Sequence, residues 1–174
     1  MGSIVTRSVC AAIIVCTACG GDDQLKKDLA AASDLAASGP AASVSDVDPC
    51  SLLTESEAEQ IIGRELVAPA RRGGSCQYMS NSGAPEVNIA FVPATLRNRS
   101  EFDRFMRDQV SEVNERLAGK GVGEMTLDVV NGLPEPAYHA GALFIYRGGK
   151  VLSISAGDKD REMAIAGLAL PRWN

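Results

Sequence analysis

The sequence holds five cysteines and one histidine, and these are the side chains whose chemistry could set a function. A cysteine can carry a lipid, a disulfide, a metal or a reactive thiolate, and a histidine can move a proton near neutral pH. Reactions built on such groups need them at particular spacings. The sequence contains no G-x-S-x-G, no P-loop and no H-E-x-x-H. Gly119-Lys120-Gly121-Val122-Gly123 lacks the G-x-G-x-x-G spacing and runs from helix to strand, the wrong order for a dinucleotide site. His139 lies between Tyr138 and Ala140, with no Ser or Cys in a recognisable catalytic context, and reads as a structural or surface residue. Arg71-Arg72 and Arg97/Arg99 read as solvated loop charges. Asp158, Asp160 and Glu162 lack the twelve-residue calcium-loop pattern, and Asp158 has a simpler use as a helix cap. No catalytic residue, metal site or cofactor is expected.

The cysteines gain meaning from their surroundings. Met1 to Ser8 carries one positive charge, Arg7, and Val9 to Ala18 is apolar or small throughout. That run is half of the roughly 20 residues a membrane-spanning helix needs. A basic start, a short apolar run and a small residue before a cut form a secretion signal. Thr17-Ala18-Cys19 resembles the lipobox of bacterial lipoproteins, with Cys16 where that pattern usually has Leu. The resemblance implies that Cys19 receives diacylglycerol on its sulfur and becomes the N-terminus after cleavage. Cys10 and Cys16 each follow Val, a poor fit where a small residue is wanted, whereas Cys19 follows Ala and precedes Gly20-Gly21. The alternative is an ordinary signal cut near Ala18 that leaves Cys19 as a free thiol.

Export also accounts for the odd number of cysteines. Cys10 and Cys16 leave with residues 1–18, Cys19 is acylated, and Cys50 and Cys76 remain to form a disulfide in an oxidising compartment. These two and His139 are too few for a structural zinc site, which wants four ligands. The chain has 174 residues, a mean hydropathy of +0.00 and a net charge of −5, which becomes −6 when the signal and Arg7 are lost. With no Lys/Arg block, it lacks the electrostatic footprint of a nucleic-acid binder. The partners expected are a membrane, through the lipid, and an envelope protein or small ligand.

Three segments follow: a signal over 1–18, a lipidated tether over 19–47 and a globular domain over 48–174. The tether is rich in Ala, Ser, Asp and Gly and has no aromatic residue, so it cannot bury enough surface to offset chain entropy. The domain is large enough for one core. Thr54 and Glu57 have capping-box spacing, Ala58, Ile61 and Ile62 share a face, and Gly63 follows, which predicts a helix over 55–62. Strands are expected over 65–70, 75–79 and around Val87, Ile89 and Phe91, with turns at 71–74 and 81–85. Phe102, Phe105, Met106, Gln109, Val110, Val113 and Leu117 keep helical spacing over 100–117, with Ser100 as N-cap and Phe105 and Val113 expected to be buried on a sheet. A strand over 125–130, a hairpin over 142–155 and a helix over 159–168, with Met163, Ala164, Ile165, Leu168 and Ala169 as its apolar face, complete the order. The expected fold class is α+β: one antiparallel sheet with helices packed on one face.

Asp48-Pro49-Cys50-Ser51-Leu52-Leu53-Thr54, Cys76-Gln77-Tyr78 and the Gly132-to-Tyr138 segment before the hairpin resemble small secreted lipoproteins of unknown function common in actinobacteria. Pro134 and Pro136 depart from the glycine or acidic residues of that pattern. The resemblance spans about residues 48–170 and implies location, disulfide and fold, with no reaction attached. Two function classes remain. One is a noncatalytic binding or structural domain on a membrane-anchored lipoprotein; the other is an exported hydrolase with a site near His139. A Ser or Asp bonded to His139 would favour the hydrolase, and a large apolar cavity between helix 100–117 and the sheet would favour ligand carriage.

Overall fold

A computed structural model describes residues 47–173. The signal segment, Cys19 and the tether up to residue 46 lie outside the described residues. Three helices, α1 (Glu55–Ile62), α2 (Arg99–Leu117) and α3 (Lys159–Ala169), accompany seven strands. The strands are β1 (Leu66–Arg72), β2 (Ser75–Ser80), β3 (Pro85–Val92), β4 (Asp128–Val130), β5 (Ala137–His139), β6 (Leu143–Arg147) and β7 (Lys150–Ser155). They form one antiparallel sheet in the order β1-β2-β3-β7-β6-β5-β4. The α+β class read from the sequence is the one found. No described helix is long and apolar enough to cross a membrane.

Strand alternation divides the side chains between two faces. Cys76, Tyr78, Val87, Ile89, Phe91, Leu143, Ile145, Leu152 and Ile154 point to one face, where they meet Ala58 and Ile62 of α1 and Ile165, Ala166 and Ala169 of α3. Tyr138, Phe144, Tyr146 and Val151 point to the other, where they meet Phe102 and Met106 of α2. The one-face arrangement therefore describes α1 and α3, while α2 crosses the opposite face over β5, β6 and β7. Beside α2, the same face carries the small or polar Gln77, Asn88, Ala90, Ser153 and Ser155, all partly exposed. Their polarity suits strands that no described helix covers.

Local signals fixed α1 as expected. The Thr54 hydroxyl accepts from the Glu57 N–H, and the Glu57 carboxylate accepts from the Thr54 N–H at 2.9 Å. Gly63 closes the helix at φ 80°, a left-handed conformation that side chains with a Cβ resist. The start of α2 differs from the Ser100 reading. Asn98 is the cap: its side-chain oxygen accepts from the Glu101 N–H at 3.0 Å, and Glu101 accepts from the Arg97 N–H at 2.7 Å. Asn98 and Glu101 share the three-residue spacing that Ser100 and Asp103 also have, and Glu101 reaches back one residue beyond the cap, to Arg97.

Three further expectations shifted. β1 runs on through Arg71 and Arg72, which pair with Cys76 and Ser75, so the turn shrinks to Gly73-Gly74. Regular pairing in β4 begins only at Asp128, because Met125 is bonded instead to the Asn114 side chain of α2, N–H to oxygen at 2.7 Å and carbonyl to amide at 3.0 Å. In α2 itself, Phe102 and Met106 are buried whereas Phe105, Val110, Val113 and Leu117 are only half-buried. Phe102 occupies the centre, stacked on Tyr146 at 5.4 Å and tilted against Tyr138 at 5.5 Å. Ring pairs at such distances add to area burial.

Phe102→Ala is expected to cost about 3–5 kcal/mol, the range for a fully buried phenylalanine, and Phe105→Ala distinctly less. Urea denaturation of both variants checks the order. Equal losses would contradict the placement of α2.

Candidate functional site

The described residues hold three places where side chains converge: the disulfide with residues 48–57 and 172–173 around it, a cleft beside α2, and the surroundings of His139. The first begins with Asp48, whose side chain accepts from the Cys50 N–H at 3.0 Å and opens a single 3-10 turn, Pro49–Ser51. That bond, aided by the Arg71 guanidinium beside it, holds the Asp48 carboxyl below its ordinary range. The turn delivers Cys50 to Cys76 on β2, with Cα atoms 5.0 Å apart and the disulfide formed. One residue pair along β2, Tyr78 is fully buried and its hydroxyl donates to the Leu53 carbonyl. Burial pushes that phenol up to about 12, so it stays a donor.

The C-terminal segment closes on the same place. Arg172 forks onto Glu57 at 2.6 and 2.7 Å and donates to the Leu52 carbonyl at 3.1 Å. The guanidinium, with the Thr54 N–H, pulls the Glu57 carboxyl down to about 2. Trp173 packs edge-on against Phe91 at 5.4 Å, and Arg147 lies over the indole at 5.3 Å while donating to the Leu170 carbonyl at 2.8 Å and to the Trp173 carbonyl. Glu135 holds the other side of that guanidinium at 2.9 Å. The polar side chains of this region are bonded to one another and to the backbone.

The cleft encloses about 250 Å³ between Arg99, at the start of α2, and the connection from Val129 through Tyr138. The Tyr138 hydroxyl donates to Asp103 at 3.0 Å, and Arg99 stands 3.9 Å from the same carboxylate. Burial, then the Asp103 bond, raises the Tyr138 phenol. Backbone turn groups and one arginine suit a small polar ligand better than an apolar one. The space between α2 and the sheet, by contrast, is filled by Phe102, Met106 and the rings they touch.

His139 ends β5 on the face shared with α3. Its Nε2 lies 3.2 Å from Oε2 of Glu162, a residue of α3 that is 1% exposed. The other oxygen of Glu162 accepts from the Ala156 N–H at 3.2 Å. Oε2 makes no hydrogen bond of acceptable geometry, so the imidazole is close enough to pair by charge but is not aligned on the oxygen. Burial pushes the Glu162 carboxyl up to about 7, the Ala156 N–H opposing the rise and Asp158 adding to it. In the sequence the acid entered only with Asp158 and Asp160, in a spacing that fits no calcium loop, and was not counted on the apolar face of this helix; the buried positions of α3 are Glu162, Ile165, Ala166 and Ala169, and Ala164 is exposed. These positions are i, i+3, i+4 and i+7, the spacing of one helical face, and the charge of Glu162 concealed the first of them. Asp158 is the N-cap, accepting from the Arg161 N–H at 2.9 Å.

The structure thus joins Cys50 to Cys76 and pairs His139 with Glu162, an acid the sequence reading had not connected with it, while Cys19 lies outside the described residues. A base with an orienting carboxylate is two parts of a catalytic triad, and a nucleophile is the third; the ion-pair partner that His139 has is Glu162. Among the described residues no three or more His, Cys, Asp or Glu side chains are placed to hold a metal ion. Compared with known protein families and with curated proteins, the chain matches none.

Two expectations follow. The bond closes a loop with a sequence separation of 26, for which chain entropy gives roughly 3.5 kcal/mol. Cys50→Ser is expected to lose a stabilisation of that order in chemical denaturation, and denatured, nonreduced mature protein should show neither Cys50 nor Cys76 as a free thiol. The second concerns acid. Glu57 titrates at about 2 when folded against an ordinary 4.5, so its contribution is present above about 4.5 and is lost as pH falls towards 2. Arg172→Ala should flatten that acid limb of the stability–pH curve; a limb of unchanged slope would contradict the Arg172–Glu57 clamp.

Proposed function

We propose that the chain is an exported lipoprotein, held to a membrane by diacylglycerol on Cys19, whose folded domain has a binding or structural role in the cell envelope and performs no catalysis. The observation that carries this reading is the Cys50–Cys76 disulfide. A bond of that kind persists in oxidising compartments and is rare where thiols are kept reduced. It agrees with the export signal over 1–18 and with the division of the five cysteines that export implies. The likeness of the Asp48-Pro49-Cys50 and Cys76-Gln77-Tyr78 blocks to secreted actinobacterial lipoproteins supports the same location. On this reading the cleft beside Arg99 and Tyr138 is the surface a small polar ligand or an envelope protein would meet first. The hydrolase reading keeps one argument, the His139–Glu162 pair, and wants a nucleophile for it.

One acyl chain binds a membrane only marginally, and two or more hold stably. Cys19→Ala is therefore expected to move the protein from the membrane fraction to the soluble or secreted fraction. Intact mass of the wild type should show acyl additions and the loss of residues 1–18. Unchanged partitioning, or a mass without acyl groups, would refute the proposal.

A further inference from the structure

Glu162 is buried on the sheet side of α3 with one oxygen lacking a hydrogen bond and an imidazole 3.2 Å from it. A buried carboxylate is tolerated when it is protonated or faces a cation, and is costly when it is neither. The neighbourhood offers little else to compensate it. On its own helix, Asp158 and Asp160 add negative charge, Lys159 lies in the exposed first turn, and Arg161 is held by Asp158 at 3.1 Å. On β4, Asp128 is the register partner of His139 and so shares its face. β6 contributes Arg147, committed to Glu135, Leu170 and Trp173 beyond the other end of α3. α1 contributes Glu57, committed to Arg172 at that same end, and Glu59, bonded to the Leu66 N–H. β7 turns Leu152 and Ile154 to this face. Among the described residues, the imidazole is the one cation-forming group in contact with the Glu162 carboxylate.

We propose that His139 and Glu162 form a pH-sensitive latch that holds α3 against β5 in mildly acidic solution and loosens it as the solution turns alkaline. With its proton in place the buried acid is neutral. When that proton leaves, a carboxylate stays buried with Oε2 lacking a hydrogen bond and the His139 Nε2 3.2 Å away. The helix relieves the cost by opening to water, a local event that need not involve the pairing of the seven strands. The direction follows from linkage. The Glu162 carboxyl is raised from 4.5 to about 7, so its contribution to holding α3 is full below about 4.5 and is lost as pH rises through about 7.

The test is native-state hydrogen exchange on the full chain, read at the α3 amides at about pH 5.5 and about pH 8 and corrected for the intrinsic rate. Opening of α3 is expected to be favoured roughly tenfold or more at the higher pH, with amides of β2 and β3 far less affected. Glu162→Gln preserves the acceptor for the Ala156 N–H and cannot ionise, so it should abolish the difference. Equal protection of α3 at both values in the wild type, or a full pH difference retained by Glu162→Gln, would overturn the latch. A carbon-13 titration of the Glu162 carboxyl in the wild type serves if the variant fails to fold. A midpoint well above the ordinary 4.5 supports the proposal, and one at that value overturns it.

Discussion

The pairing of β3 with β7 is the constraint on which the rest of the domain depends. β1, β2 and β3 form one sequential antiparallel unit, and β4 to β7 form another, so the sheet exists as a whole only through the seam from Asn88–Ser155 to Val92–Val151. That seam sets which residues face which layer. A slip by one residue would turn Leu152 and Ile154 away from α1 and α3 and send Val151 into the wrong cluster. α2 must also bridge the two units in sequence, leaving β3 and returning the chain to the far edge at β4. Its loop is anchored to the seam: the Leu96 N–H donates to the Gly149 carbonyl at 3.1 Å. At Gly149, φ is 86° and an added Cβ would stand 2.9 Å from the Leu96 carbonyl oxygen, so the close approach requires glycine.

What the sequence revealed and what it hid divide along the range of the interactions. The capping box of α1, its Gly63 stop, the β6–β7 hairpin and the alternation of Val87, Ile89 and Phe91 rest on neighbours a few residues apart, and each could be read directly. The disulfide was legible for another reason, since the cysteines could be allotted one by one. Asn98 was missed because two overlapping capping patterns compete there, and in the structure Asn98 accepts from the Glu101 N–H while the Glu101 carboxylate accepts from the Arg97 N–H. Phe105 was overrated because a helical stripe does not reveal how far the surface beneath it extends. The side of the sheet taken by α2 depends on which face of β6 carries Phe144 and Tyr146, and both faces of that strand are apolar or aromatic.

The candidate site was less legible than the fold, and for a physical reason. A search for catalytic groups starts from the side chains that stand out, and His139 did. Glu162 did so only beside Asp158 and Asp160, in a spacing that fits no calcium loop; otherwise it is one more acid in the first turns of a helix, where acids are ordinary. Its burial is created by β5 and by the β7–α3 connection, through His139 and the Ala156 N–H. The Arg172–Glu57 fork was equally invisible, since it joins the last described residues to the first helix. The Arg172–Glu57 and His139–Glu162 contacts span long sequence separations, whereas apolar groups advertise themselves through local periodicity.

The disulfide has a mechanical meaning. A pull applied through the chain that precedes Asp48 reaches Cys50 within two residues and passes through sulfur to Cys76 in β2. β2 lies between β1 and β3, so force enters an interior strand and is shared by hydrogen bonds on both sides. The stretch between the two cysteines, with α1 and β1, is bypassed. Tension transmitted this way would have to shear paired strands, where a pull on α1 would only have to unwind two turns of helix. A domain suspended by its N-terminal side could then be tugged without its first helix being drawn out.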